Sequence, residues 1–138
     1  MSGIALTGYG GLDFLEWRDD LPMPDVGPDD VLIRVAAAGV NNTDINTRTG
    51  WYAKSVTGAT TDNAALGADE DGTWNGEALQ FPHVQGADCC GVIVAVGTNI
   101  DQARLGNRIL TRTMQNHIQA DGSSRLITQG SEVRGAFA

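Results

Sequence analysis

The residues best suited to chemistry in this 138-residue chain are Asn41, Asn42 and Thr43, which follow an apolar stretch at residues 30–39. They lie where a strand is expected to meet a short helix, in the segment AAAGVNNTDINTRTG. Amide and hydroxyl groups at the first turn of a helix can donate hydrogen bonds to a developing oxyanion, and the free backbone N–H groups there favour negative charge. The same residue types are the usual helix N-caps, so either Asn42 or Thr43 could simply cap the helix. Spacing alone leaves both interpretations open.

Metal-binding and nucleophilic residues are sparse in the sequence. His83 and His117 stand alone, and the two cysteines, Cys89 and Cys90, are adjacent. Neighbours on a strand point to opposite faces, so these thiols are poor disulfide partners and cannot both face one ion. The pattern therefore disfavours a catalytic zinc site and excludes a four-cysteine structural one. Unpaired thiols predict a reducing compartment, and the cytoplasm is the expected location.

A dinucleotide-binding glycine fingerprint is also missing. The segment TGYGGLDF at residues 7–14 has Gly8 and Gly10, but Asp13 stands where a third glycine would be needed. We expect this segment to form a turn and to open no helix, so it offers no helix dipole to a pyrophosphate. The chain is therefore expected to lack a cofactor-binding half of its own.

Composition and charge limit the possible partners. The chain is globular in composition, with 41% hydrophobic and 19% charged residues. Its net charge is −8, with 17 acidic and 9 basic residues. A phosphate backbone would be repelled, and no basic cluster suits nucleic acid or an anionic membrane. The N-terminal MSGIALTGYGG has neither the positive charge nor the apolar run of a signal peptide or membrane span. Nucleic acid and membranes are therefore not expected partners.

The elements expected to position these residues are mostly short strands. Eighteen glycines and brief apolar runs predict many strands joined by tight turns. The clearest strands are residues 30–39, 89–97 and 107–112, and the second is expected to be central because both of its faces are apolar. Weaker strand signals fall at residues 2–7, 14–17, 125–128 and 135–138, and a short helix is expected at residues 43–49.

A long segment at residues 54–80 has little periodicity, several glycines and an acidic run. A loop of this length inside a compact domain is either a solvated insertion or a functional element. The functional alternative is a lid or an oligomer contact anchored by Trp74. We expect the segment to be mobile.

Four motifs in order carry a resemblance to a known family: DVLIRVAAAGVNNTDINTRTG, FPHVQGADCCGVIVAVG, LGNRIL and GAFA. Together they resemble the N-terminal, GroES-like domain of the medium-chain dehydrogenase/reductase superfamily, over roughly residues 3–53 and 80–138. The resemblance implies a mostly-β fold, a GroES-like distorted β-barrel with one or two short helices. It implies one catalytic domain over residues 1–138, with an insertion at 54–80, and a C-terminal Rossmann domain that is absent from this chain.

The same resemblance bears on the metal. Zinc-dependent members place a cysteine ligand directly after the Gly-Val pair, where this chain has Asn41. They place a histidine ligand inside a G-H-E triplet, where this chain has Gly86, Ala87 and Asp88. Quinone oxidoreductase-like members carry a G-V-N-x-x-D pattern, which Asn41 to Asp44 fits. The resemblance therefore implies a zinc-free reductase that transfers hydride from NADPH to a quinone, enone or carbonyl, with NADPH bound mainly by the missing domain.

Roles for individual residues also come from the resemblance. Asn41 and Thr43 are expected to be catalytic, contacting the substrate or the nicotinamide. Asn42 and Arg48 are expected to contact the cofactor. Tyr52 is expected to line the substrate cleft, with simple packing as its alternative. The full-length protein is expected to form a homo-oligomer.

Several alternatives remain open on sequence grounds. Asp44 is expected to be structural, because a carboxylate is favoured at a helix N-terminus. Arg48 could instead hold a carboxylate such as Asp88, or be exposed. One competing class is a GroES-like binding or assembly module without catalysis. Another is a zinc alcohol dehydrogenase with ligands at unusual places, such as Asp88, His83 or Cys89.

Overall fold

The computed structural model describes residues 1–53, 56, 78–119 and 121–138. Most of the 54–80 insertion, with Trp74, lies outside the described residues, so the expectation of a mobile lid or oligomer contact stays a prediction. The elements in chain order are β1 (Gly3–Leu6), β2 (Leu15–Arg18), β3 (Val31–Ala37), α1 (Asn42–Thr49), β4 (Cys90–Val96), β5 (Arg108–Leu110), β6 (Met114–Ile118) and β7 (Ser124–Thr128). Short 3₁₀ turns occupy Leu12–Phe14 and Gln102–Arg104.

Within the described ranges, the strands form three small antiparallel sheets: β1–β2, β3–β4–β5 and β6–β7. The prediction of a mostly-β fold with one short helix is confirmed, and β4 is the central strand of its sheet, as its two apolar faces indicated. The pairing of β3 with β4 shifts register between Leu32 and Ile33 and again between Val35 and Ala37. Such irregularities bend a strand and increase its twist, which suits a distorted barrel.

One strand prediction was wrong, and one strand was missed. Residues 135–138 form no regular strand, because their backbone hydrogen bonds are divided between β1 and an irregular segment: Ile4 N donates to Phe137 O at 2.8 Å, and Gly135 N donates to Val84 O at 2.7 Å. Conversely, β6 was not foreseen. Its sequence, MQNHI, shows no alternation of apolar and polar residues, and all five of its residues are exposed.

The hydrophobic core joins the two ends of the chain. Ala5, Leu21 and Val84 are buried together, with Phe137 among the partly buried residues packed against them. This packing fixes the segment at residues 84–87 against β1, and that segment in turn contacts α1. Both cysteines are free, in agreement with the sequence expectation. Among the described residues, no helix combines the length and the apolarity that crossing a membrane requires.

Candidate functional site

Asn41 is the N-cap of α1. Its backbone is extended, with φ −140° and ψ 179°, and its Oδ1 accepts a hydrogen bond from Thr43 N at 2.9 Å. Asp44 completes a capping box, because its Oδ2 accepts from Asn41 N at 2.9 Å. The expectation that Asn42 or Thr43 caps the helix is therefore wrong: α1 already begins at Asn42, which leaves the non-helical capping position to Asn41.

Asp44 ties the helix to the segment before β4. Its side chain is buried, with Oδ1 accepting from Gly86 N at 3.2 Å, and its carbonyl oxygen accepts from Gln85 Nε2 at 2.9 Å. Burial raises the pKa of Asp44, while hydrogen bonds from the backbone of Asn41 and Gly86 act in the opposite direction. The expectation that Asp44 is structural is confirmed, and its role extends beyond the helix to a second part of the chain.

The three polar residues at the junction differ in how many hydrogen bonds their side chains make within the protein. Besides its capping bond, Asn41 donates from Nδ2 to Asp88 Oδ2 at 3.3 Å, which leaves one Nδ2–H uncommitted. Asn42 is exposed. In the described part of the chain the Thr43 hydroxyl has no hydrogen-bond partner, although the Thr43 side chain is only half-exposed. Among the described residues, the Asn42 and Thr43 side chains therefore both keep free donors, and Thr43 is the less exposed of the two.

Arg48 and Tyr52 lie at the other end of the helix. Arg48 donates from Nη1 to Gly10 O, and Gly10 N donates to Arg48 O at 2.9 Å, so the side chain is bonded to the β1–β2 connection and not to Asp88. The Tyr52 ring packs edge-on against Trp51, with centroids 5.6 Å apart. Asn46 Nδ2 donates to the Tyr52 hydroxyl at 3.4 Å. A helix of eight residues is about 12 Å long, so these two residues and the Asn41–Thr43 turn do not form one compact cluster.

An open apolar cleft of about 720 Å³ lies between α1, the β1–β2 hairpin and the C-terminal residues. Four of its lining side chains are large and exposed: Leu12 (71%), Trp17 (68%), Val40 (73%) and Ile45 (43%). Asp44 and Arg48 also line it, whereas Asn41, Asn42 and Thr43 do not. Sequence reasoning missed this cleft, because its walls come from segments distant in the chain.

No metal centre is assembled by the described residues, among which no group of three or more His, Cys, Asp or Glu side chains could hold an ion. The three residues named above as possible zinc ligands, Asp88, His83 and Cys89, each lie in a different environment. His83 is buried with Nε2 3.2 Å from Gly130 O, and burial lowers its pKa. Cys89 is buried, which raises the pKa of its thiol, and Asp88 is exposed. At the position of the family's histidine ligand, Ala87 presents a buried methyl group.

Comparison with known proteins agrees with this geometry. The family described as "Alcohol dehydrogenase GroES-like domain" matches residues 27–138. The chain belongs to this family. The barrel topology and the resemblance noted in the sequence are thereby confirmed.

Individual relatives are oxidoreductases. "NAD(P)H oxidoreductase RTN4IP1, mitochondrial" of Dictyostelium discoideum is 31% identical over 110 residues, which cover 79% of this chain and 26% of that protein. The quinone oxidoreductase of Homo sapiens is 28% identical over 111 residues, covering 80% and 27%. A solved structure from Sinorhizobium meliloti 1021, assigned as an alcohol dehydrogenase, has a TM-score of 0.76 at 33% identity and covers 99% of this chain and 36% of that one. The chain thus spans about a quarter of the curated relatives and about a third of the solved one.

Proposed function

We propose that this chain is the substrate-side domain of a zinc-independent NAD(P)H oxidoreductase that reduces a neutral quinone, enone or carbonyl compound. The observation that carries the proposal is the first turn of α1. There the family's cysteine position holds a capping asparagine, and the Thr43 hydroxyl is left without a partner among the described residues. The identity of the relatives as oxidoreductases supports the reaction class.

The residues of this turn would act on the oxygen of the substrate. The Thr43 hydroxyl and the uncommitted Nδ2–H of Asn41 can donate to a carbonyl oxygen, and the positive end of the helix dipole favours the charge that develops on it. The Asp88 carboxylate, bonded to Asn41 Nδ2 at 3.3 Å, opposes an anion at Asn41. The main stabilisation of a developing oxyanion is therefore assigned to Thr43, with Asn41 as a second donor.

NAD(P)H, when bound, would supply the hydride. The described residues include no glycine-rich strand-to-helix turn, since residues 12–14 after the glycines form only a 3₁₀ turn. Few of the residues present therefore fit the dinucleotide. Asn42, which is exposed, and Arg48, whose guanidinium keeps donors beyond the one used on Gly10, are proposed to contact it. Tyr52 is proposed to border the substrate.

The residues present do not fit a catalytic zinc ion. An amide at Asn41 and a methyl group at Ala87 cannot replace a thiolate and an imidazole around zinc. We accordingly derive no step through a metal. The proposal further includes a homo-oligomer, a cytoplasmic location in keeping with the two free cysteines, and no role in binding nucleic acid or membranes.

The first test concerns the metal. The full-length protein that contains this chain should oxidise NADPH or NADH in the presence of a naphthoquinone or an enone. Its rate should be unchanged after dialysis against EDTA, and elemental analysis should find zinc well below one ion per chain. Stoichiometric zinc, together with activity lost on chelation and restored by zinc, would contradict the zinc-free mechanism.

The second test concerns Thr43. Replacing it in the full-length protein by valine, Thr43→Val, should lower kcat for quinone or enone reduction by roughly 10²-fold, the effect of removing one donor to an oxyanion. The matched control is Thr49→Val in the same helix, whose hydroxyl donates only to Ile45 O at 3.0 Å and Asn46 O at 3.3 Å. An equal loss in both variants would show that the effect comes from the helix and not from the reacting oxygen.

A further inference from the structure

Asp88 links three parts of the chain through the two oxygens of its carboxylate. Its Oδ2 accepts a hydrogen bond from Asn41 Nδ2 at 3.3 Å, and its Oδ1 accepts from Thr113 Oγ1 at 3.3 Å. Asn41 lies at the N-terminus of α1, Asp88 precedes β4, and Thr113 lies between β5 and β6. One exposed carboxylate therefore links the N-cap of α1 to the residue before β4 and to the connection between β5 and β6.

This contact determines which way the Asn41 carboxamide points. Its Oδ1 faces Thr43 N, a donor, at 2.9 Å, and its Nδ2 faces the carboxylate of Asp88. In the flipped orientation the amide NH₂ would meet a backbone N–H, and the amide oxygen would meet an ionised carboxylate that can only accept. Both contacts would then be repulsive. The partners on the two sides thus fix one orientation of the amide.

The backbone before the helix leaves room for this arrangement. A Cβ atom added at Gly39 would lie 3.0 Å from Asp88 Oδ2 and 3.6 Å from Asp88 Cβ. A contact of 3.0 Å is closer than carbon and oxygen atoms normally approach, so a side chain here would displace the carboxylate. The glycine of the G-V-N segment therefore allows Asp88 to reach Asn41.

We propose that Asp88 is a positioning residue that holds the carboxamide of Asn41 in a single orientation, with one Nδ2–H left for a neutral carbonyl oxygen. Asp88 itself touches no ligand in this proposal. Its negative charge also makes the position unfavourable for carboxylate or phosphate groups. The inference rests on the proposed function for the nature of the ligand, but not for the orientation of the amide.

The orientation can be measured by NMR on the isotope-labelled protein without any ligand. The side-chain NH₂ signal of Asn41 is identified by its loss in Asn41→Asp. In Asp88→Ala, the exchange of these protons with water should become roughly five- to tenfold faster, the factor expected for losing one ordinary intramolecular hydrogen bond. In Asp88→Asn, which keeps a side-chain oxygen as acceptor, most of the protection should return. A signal that is unchanged in Asp88→Ala would overturn the proposal, and so would equal loss in both variants.

Two further variants complete the design. Asp19→Ala removes an equal charge from an exposed position beyond β2 and should leave the Asn41 signal unchanged. Thr113→Val removes the second contact of Asp88 and should accelerate exchange by about twofold, a fraction of the loss of the direct bond. If Asp88→Ala does not fold, an unaltered Asn41 signal in Thr113→Val overturns the proposal. Because no substrate or cofactor is added, failure of the reductase assay and failure of this inference are separate results.

Discussion

Replacing Asp44 by alanine is expected to lower the free energy of unfolding by about 3 kcal/mol, because one buried and one partly buried backbone donor lose a charged acceptor. The carboxylate accepts from Asn41 N at 2.9 Å and from Gly86 N at 3.2 Å. Water cannot readily replace it, since the side chain is only 6% exposed. The loss should be measured by urea unfolding, and the Asn41 and Gly86 amides should lose protection from hydrogen exchange in the same variant.

The control for Asp44 is another aspartate cap. Asp101 accepts from Ala103 N at 2.9 Å but is exposed, so Asp101→Ala should cost about 1 kcal/mol or less. Equal losses at the two positions would mean that Asp44 is no more than a helix cap. The link from α1 to residues 85–87 would then contribute nothing measurable.

Asp44 also predicts a pH dependence of stability. Because burial raises its pKa in the folded state, the native protein holds this proton at a pH where the unfolded chain has lost it. The stabilisation that comes from this bound proton is fully present below the pKa of Asp44 in the unfolded chain. It is lost as the pH rises through the pKa of Asp44 in the folded protein. The free energy of unfolding of the wild type should therefore fall relative to that of Asp44→Asn as the pH rises from roughly 3 to 7. A difference that moves in favour of the wild type would show that hydrogen bonding to the carboxylate outweighs its desolvation.

Replacing Gly97 by alanine is the second substitution with a large expected effect. A Cβ atom there would lie 2.1 Å from Gly27 O and 2.3 Å from Pro28 O, and neither backbone oxygen can turn away as a side chain could. Gly97 N also donates to Asp30 O at 2.8 Å, so a displaced chain loses this bond as well. We expect Gly97→Ala to lower the free energy of unfolding by more than about 3 kcal/mol.

Gly106 provides the comparison for Gly97. It has φ +81°, and no atom lies within 4 Å of an added Cβ, so Gly106→Ala tests backbone strain without a clash. Its cost should be about 1 to 2 kcal/mol. Chemical denaturation of the two variants separates the effects. A Gly97→Ala protein as stable as Gly106→Ala would show that the connection between β2 and β3 can move freely away from the end of β4.

The parts of the fold that could be predicted are those with a local pattern. β4 was placed correctly at the centre of its sheet because an apolar run on both faces is typical of an inner strand, although Val94 on one face is 43% exposed. β6 could not be predicted, since its exposed sequence has neither alternation nor a buried face. The last four residues carry a strand-like sequence, but tertiary contacts divide their hydrogen bonds between β1 and residues 84–86.

In the candidate site too, local features could be predicted and long-range contacts could not. The sequence from Asn41 to Asp44 indicated that a polar turn begins α1. It did not indicate which residue caps the helix, because that depends on the backbone angles. The hydrogen bond from Asn41 to Asp88 joins residues 47 positions apart, so no local spacing pattern in the sequence could predict it. The roles of Asn41, Asn42, Thr43, Arg48 and Tyr52 stay predictions, and the structure separates the first three from the last two along the helix.

The hydrogen bonds around Asp44 have a consequence for the order in which the protein folds. An isolated helix of eight residues is marginal in water, and α1 is anchored by partners 41 and 42 residues further along the chain. Those partners arrive only after a long loop has closed, at an entropic cost that grows slowly with loop length. We infer that α1 matures late in folding, after the barrel strands have met, so that a half-formed barrel presents no ordered first turn.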